Sequence, residues 1–176
     1  GDVIHGDDGD DTIHGETGDD LLYGGTGADA IHGGAGNDSL YGGDGDDTMT
    51  GGDDRDVFYL EGPNFGTDSI AGNETGSDLD TIDTTGVAGD ITAIFTGFEA
   101  GSLTSSTGGG ASFVEIEAIV TGAGNDIIDA TLNTGDAAYT TGAGNDSVTG
   151  AGNETIDGGD GNDTLSGGAG ADTLTG

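Results

Sequence analysis

Residues 33–50 read GGAGNDSLYGGDGDDTMT. This stretch is two nine-residue units end to end, each with glycine at its first, second and fourth places. Each also has aspartate at its sixth place and an apolar residue at its eighth. The same frame gives GDDGDDTIH (6–14), GETGDDLLY (15–23) and GGTGADAIH (24–32) on one side, and GGDDRDVFY (51–59) on the other. The sixth-place acids are Asp11, Asp20, Asp29, Asp38, Asp47 and Asp56, with Asp2 in a partial unit. The eighth-place residues are Ile4, Ile13, Leu22, Ile31, Leu40, Met49 and Phe58. A second block starts at Thr121 with TGAGNDIID (121–129) and an irregular stretch around Asp136. It continues with TGAGNDSVT (141–149), the eight-residue GAGNETID (150–157), GGDGNDTLS (158–166) and GGAGADTLT (167–175). Its acids are Asp126, Asp136, Asp146, Glu154, Asp163 and Asp172. A period held this long predicts a repeat architecture in which each unit stacks on its neighbours.

Composition narrows the reading. The 176 residues carry 35 acids against one base, Arg55, for a formal charge of −34. Glycine supplies 41 residues and apolar side chains 31%. Without a counter-charge such a chain repels itself and stays unfolded. The lack of Lys and Arg excludes nucleic acid as a partner. No apolar run reaches the roughly 18 residues of a membrane span. There is no cysteine, hence no disulfide framework, which fits a secreted bacterial protein. No signal peptide opens the chain. The first residues read as the tail of a unit, so a piece of a longer protein is expected, with any export signal elsewhere. There is no H-E-x-x-H, and no Ser lies beside a His and an acid in a nucleophile motif. No catalytic residue is therefore assigned, and no enzyme activity is expected.

The units resemble the calcium-binding nonapeptide repeats of the RTX (repeats-in-toxin, hemolysin-type) family, with consensus G-G-x-G-x-D-x-U-x and U apolar. The resemblance covers residues 1–59 and 121–176. It implies an all-β, right-handed parallel β-roll (a β-solenoid): six residues turn, three make a short strand, and two units complete a coil. It also implies several bound Ca2+ ions, held by one turn's second- and fourth-place carbonyls and acid, and by the first- and third-place carbonyls and acid of the next turn on that side. Carried over, this pairs Gly25, Gly27 and Asp29 with Gly42, Asp44 and Asp47. It pairs Glu16, Gly18 and Asp20 with Gly33, Ala35 and Asp38, and Gly150, Gly152 and Glu154 with Gly167, Ala169 and Asp172. The full expected ligand set adds the side chains of Asp11, Asp56, Asp126, Asp146 and Asp163, and the carbonyls of Gly9, Gly36, Gly51, Gly124, Gly144 and Gly158.

The residue chemistry agrees with that implication. Glycine reaches positive φ freely, so carbonyls can turn inward beside the acid. Calcium takes about six to eight hard oxygens, and one turn supplies about half of them. Turns on one side recur every second unit, and strand spacing of about 4.8 Å lets two complete a shell. One buried apolar residue per nine cannot offset the entropy of ordering the other eight. Folding and metal binding are therefore expected to be one event.

Three segments follow: a repeat block at 1–59, a β-rich non-repeat insertion at 60–120, and a repeat block at 121–176. In unit 51–59, Asp54 stands where glycine is expected and Arg55 follows it, which counts against a site there. Unit 150–157 is one residue short and uses glutamate, and 130–140 runs two residues long. Within the insertion, 91–95 and 112–120 read as strands from their β-branched and aromatic content, and GSLTSSTGGGAS between them as a loop. The insertion is read as carrying the solenoid through without calcium, with a small separate subdomain as the alternative. At the ninth place, His5, His14 and His32 point outward as solvated strand residues, and Tyr23, Tyr41 and Tyr59 form an outer ladder.

The function expected is a calcium-binding structural module of a secreted or cell-surface bacterial protein, unfolded without calcium and folding in extracellular calcium. The resemblance also implies the type I secretion machinery as a partner. The alternatives are a surface adhesin, matrix or filament element that self-associates and, more remotely, a non-catalytic domain of a secreted hydrolase.

Overall fold

Places seven to nine of each unit alternate outward, inward, outward, the period of two that makes a half-buried strand. In the computed structural model, which describes residues 1–73 and 78–176, every such triplet through Val57–Tyr59 is a strand or opens one. Strands from alternate units stack in parallel, so residues 18 apart sit side by side: Leu22 pairs with Leu40, and Ile31 with Met49.

Two sheets result. The first is parallel throughout and runs Val3–Asp8, Leu21–Thr26, Ser39–Asp44, Val57–Glu61, Thr81–Gly86, Ala118–Val120, Asp136–Thr140, Asn153–Asp157, Thr173–Thr175. The second begins Thr12–Thr17, Ala30–Ala35, Thr48–Asp53, Thr67–Ala71 and ends Ile127–Asp129, Ser147–Thr149, Thr164–Ser166. Among the described residues there is no helix. The chain is thus an all-β parallel solenoid, and both sheets run through residues 60–120 without a break. Between them lies one row of buried apolar side chains per sheet, such as Leu22, Leu40, Phe58, Ile82 and Ile119 facing Ile31, Met49 and Ile70.

The parallel order is broken once. Ile91–Gly97, Ala100–Ser105 and Gly110–Val114 form an antiparallel meander within the second sheet, and its outer strands pair in parallel with the coils on either side. Residues 100–105 are therefore a strand, although the sequence read 101–112 as a loop. Their Ser, Thr and Gly content hides an alternation in which Leu103 is buried between exposed Ser102 and Thr104. The meander also widens the core: Phe95 packs edge-on against Phe113 at 5.1 Å and Tyr139 at 5.8 Å.

Asp136 does not fall in the sixth-place row. Ala138 pairs with Ala118, which puts Ala137 at the sixth place and leaves Asp136 exposed at the fifth. The extra length of 130–140 folds into a turn around fully buried Asn133, whose Nδ2 donates to Tyr139 Oη at 3.1 Å. On the outer face the ninth-place rings stack as Tyr23–Tyr41 at 4.7 Å and Tyr41–Tyr59 at 4.3 Å. His5 extends that ladder onto Tyr23 at 4.7 Å, and His14 stacks on His32 at 4.9 Å.

Candidate metal centres

The turns between the sheets hold the acids. The second and fourth places sit at positive φ, as in Gly25 (φ 118°) and Gly27 (φ 131°), where glycine has no steric penalty. Where the sequence departs from glycine, the backbone keeps the same sense: Asp7 and Glu16 at 71°, Asp54 at 73°. Asp54 thus does not break its turn.

From Asp20 to Asp56 each sixth-place carboxylate reaches one coil back. Its Oδ1 accepts the backbone N–H of the acid 18 residues earlier: Asp11 N to Asp29 at 2.8 Å, Asp20 N to Asp38 at 2.8 Å, Asp29 N to Asp47 at 2.9 Å, Asp38 N to Asp56 at 2.8 Å. The result is two carboxylate rows, one under each set of turns. Fifth-place side chains make a second rung of opposite polarity, accepting from the coil after them: Ala28 N to Asp10 at 2.9 Å, Asn37 N to Asp19 at 2.9 Å, Asn145 N to Asn125 at 3.0 Å. The exposed Asp19 carboxyl is held below its ordinary range by those Asn37 hydrogen bonds. Asp136 joins this fifth-place row, accepting from Asn153 Nδ2 at 2.7 Å.

The second oxygen of the sixth-place acids is the informative one. Oδ2 of Asp11, Asp20, Asp29, Asp38, Asp47, Asp56, Asp146 and Asp163, and Oε2 of Glu154, are buried without a hydrogen-bond partner. An anionic oxygen left so is costly, unless something cationic belongs beside it. The first-place glycine marks where. A Cβ on Gly15 would lie 2.6 Å from Asp20 Oδ2 and 2.6 Å from Gly33 O of the next coil; on Gly6 it would lie 2.7 Å from Asp11 Oδ2 and 2.5 Å from Gly24 O. Gly24 faces Asp29 Oδ2 and Gly42 O in the same way, and Gly33 faces Asp38 Oδ2 and Gly51 O. The carboxylate and carbonyl oxygens thus converge beside the glycine, where any side chain would displace them. Gly6, Gly15, Gly24 and Gly33 therefore each leave a cradle lined by a carboxylate and a carbonyl oxygen, donors of the kind a hard divalent cation takes. The donors are all oxygen, and many are backbone, so no group of three or more His, Cys, Asp or Glu among the described residues converges by itself.

Not every expected site has this form. In unit 121–129 the first place is Thr121, whose Oγ1 donates to Asp126 Oδ2 at 2.5 Å and also lies 3.1 Å from Thr141 O. These are the same two oxygens that line the glycine cradles, and here a hydroxyl stands between them. Thr141 Oγ1 donates to Gly158 O at 3.1 Å, while Asp146 Oδ2 stays without a hydrogen-bond partner. Glu154 turns Oε1 onto the N–H groups of Ala151 and Gly152, and its own N–H donates to Asp172 Oδ1 at 3.2 Å.

The rows also include acids that the repeat frame misses. Asp47 N donates to Asp68 Oδ1 at 2.9 Å, Asp56 N to Asp80 Oδ1 at 2.7 Å, and Asp80 N to Glu117 Oε2 at 2.8 Å. All three acids lie within 60–120, and each keeps a buried, unpartnered oxygen. Desolvation pushes Asp56, Asp68, Asp80 and Glu117 up to about 7, against the pull of the backbone N–H each accepts; a neighbouring carboxylate of the row adds to the rise for the aspartates, and Glu99, then Asp80, for Glu117. Burial also raises Asp38, Asp47, Asp126 and Glu154.

A sequence model of the RTX calcium-binding nonapeptide repeat matches the chain in four copies, at residues 1–31, 23–58, 116–132 and 148–176, together more than half of its length. No curated protein matches it. Among solved structures it is similar to the AlgE6R3 subunit of the mannuronan C5-epimerase from Azotobacter vinelandii. The identity is 29% over 61% of this chain and 72% of that one, with a TM-score of 0.46.

Proposed function

This chain belongs to the RTX calcium-binding nonapeptide-repeat family, and we propose that it is a module whose folding and calcium uptake are one equilibrium. The observation that carries this reading is the row of buried carboxylate oxygens without hydrogen-bond partners, most of them beside a first-place glycine. Calcium, when bound, supplies the positive charge and oxygen coordination that those groups otherwise lack. The ligands proposed are Asp11, Asp20, Asp29, Asp38, Asp47, Asp56, Asp163 and Asp172, with the carbonyls of the turns stacked against them. Glu154 is included through its free Oε2. At Asp126 a threonine hydroxyl takes up part of the space that glycine leaves elsewhere, whereas Asp146 keeps its Oδ2 free and is included.

The chain's own residues do the rest. The first- and second-place glycines let neighbouring coils approach, the Oδ1 hydrogen bonds fix each carboxylate, and the apolar row keeps water from between the sheets. Before the ion arrives, the like charges of each row oppose stacking. The unfolded chain then suits export as a thread through a type I secretion route. Folding follows outside the cell, where calcium reaches the range of about 10⁻⁴–10⁻³ M typical of extracellular modules. In this role the segment is structural, and no step of catalysis is assigned to it.

Circular dichroism during calcium titration, with magnesium as the control, tests the proposal. A cooperative gain of β-signal with calcium alone is expected. A chain already fully β-structured in chelator would overturn it.

A further inference from the structure

The repeat pattern assigns nothing between residues 60 and 115, yet the cradle recurs there. Gly72 follows the strand Thr67–Ala71 and stands where a first-place glycine stands in the repeats. A Cβ on it would run into Asp80 Oδ2 and Glu115 O. These are its own turn's acid and the first carbonyl of the next turn on that side, the pair that lines the Gly15 and Gly24 cradles. Asp80 is 0% exposed and Glu117 is 5% exposed. One oxygen of each is tied into the backbone ladder, and the other, Asp80 Oδ2 or Glu117 Oε1, is buried without a partner. The turn Glu115–Glu117 is compressed to three residues from the usual six, with Glu115 at φ 56°. That compression brings its two acids against the preceding coil, where Glu115 Oε2 accepts the N–H of Asn73 at 3.0 Å.

We propose that Asp80, Glu117 and the carbonyl of Glu115, around Gly72, hold one further calcium ion outside the repeats. Gly72 and Asp80 lie beyond all four segments matched by the repeat model. The donors are carboxylate and carbonyl oxygen, with no nitrogen or sulfur, the set that suits calcium over transition metals. This site rests on the calcium reading above and extends it: the first sheet's carboxylate row passes from Asp56 through Asp80 to Glu117 unbroken. The solenoid therefore crosses residues 60–120 with a cation of its own on this side, instead of without calcium.

The test counts ions by native mass spectrometry on the full chain in saturating calcium, for the unaltered protein, Asp29→Asn, Asp80→Asn and Glu117→Gln. The expected result is fewer ions in Asp29→Asn and one ion fewer in both Asp80→Asn and Glu117→Gln. If Asp29→Asn loses ions while the other two keep the full count, the site at Gly72 is refuted and the repeat sites stand. If the unaltered chain holds none, the calcium reading fails and this site fails with it. Should the variants at 80 and 117 lose their β-signal, anomalous scattering from crystals of the unaltered chain grown in calcium decides. A peak between Asp80 Oδ2 and Glu115 O supports the site; a flat map there, with peaks beside Asp29 and Asp38, overturns it.

Discussion

Asp29 uses its two oxygens for two purposes, and substitution can separate them. Oδ1 accepts the part-buried N–H of Asp11 at 2.8 Å, and Oδ2 lines the cradle of Gly24 without a hydrogen-bond partner. Asp29→Asn keeps an acceptor for Asp11 and replaces the anionic ligand with an amide. Asp29→Ala removes both and leaves a part-buried donor unsatisfied, which costs about 1–3 kcal/mol beyond the loss of the ligand. If each ion bound alone, that extra cost would separate the two variants by about 5- to 150-fold in one ion's affinity. If folding takes up about five ions together, the same cost is shared, and the calcium midpoint of Ala exceeds that of Asn by only about 1.4- to 3-fold. The expected order of midpoints is wild type, then Asn, then Ala, with each transition still a single step. Asp53→Ala removes the same charge from an exposed side chain and is the control; its midpoint should stay near wild type. The assay is far-ultraviolet circular dichroism at fixed ionic strength. Coincident midpoints for wild type and Ala, or Asn weaker than Ala, would refute the division of labour between Oδ1 and Oδ2.

Acid should partly replace calcium. Folded Asp56, Asp68, Asp80 and Glu117 hold protons up to about 7, against about 4 when unfolded, so the folded form binds more protons between those values and loses stability as pH rises through them. In chelator the β-signal should therefore grow as pH falls from about 8 toward 4; a signal flat over that range counts against buried, unpaired carboxyls. Thr121→Gly should free Asp126 Oδ2 and open a cradle like that of Gly24, adding one ion in native mass spectrometry, and an unchanged count would show that the hydroxyl is not what fills the gap. Tyr41→Ala removes two ring stacks, at 4.7 and 4.3 Å, and should cost about 1–3 kcal/mol in urea unfolding at saturating calcium. A loss within about 0.5 kcal/mol, the usual scatter for surface changes, would make the ladder ornamental.

The repeats were legible because turn and strand length were constant: with nine residues per unit, Asp20, Asp38 and Asp56 announce their own stacking. The same rows vanish from the sequence where turn length varies. Asp68 comes 21 residues after Asp47, Asp80 24 after Asp56 and Glu117 37 after Asp80, so no fixed period aligns them, although the backbone still pairs Thr81 with Val57 and Ala118 with Thr81. Asp136 misled for the converse reason: it looks like a sixth-place acid, and only the turn buried around Asn133 moves it one place outward. Leu103 was hidden by its polar neighbours, since a strand with a single inward apolar residue is easily read as a loop. What the repeat consensus did not disclose is the weight of the first place. Glycine there leaves an anionic oxygen and a carbonyl facing a backbone without a side chain, Thr121 puts a hydroxyl between them, and Leu60, at the first place of the 60–68 turn, is a buried apolar side chain. Under the calcium reading, whether two coils are joined by a cation or by protein atoms is therefore decided less by the acid, which recurs along both rows, than by the absence of a side chain at the first place of its turn.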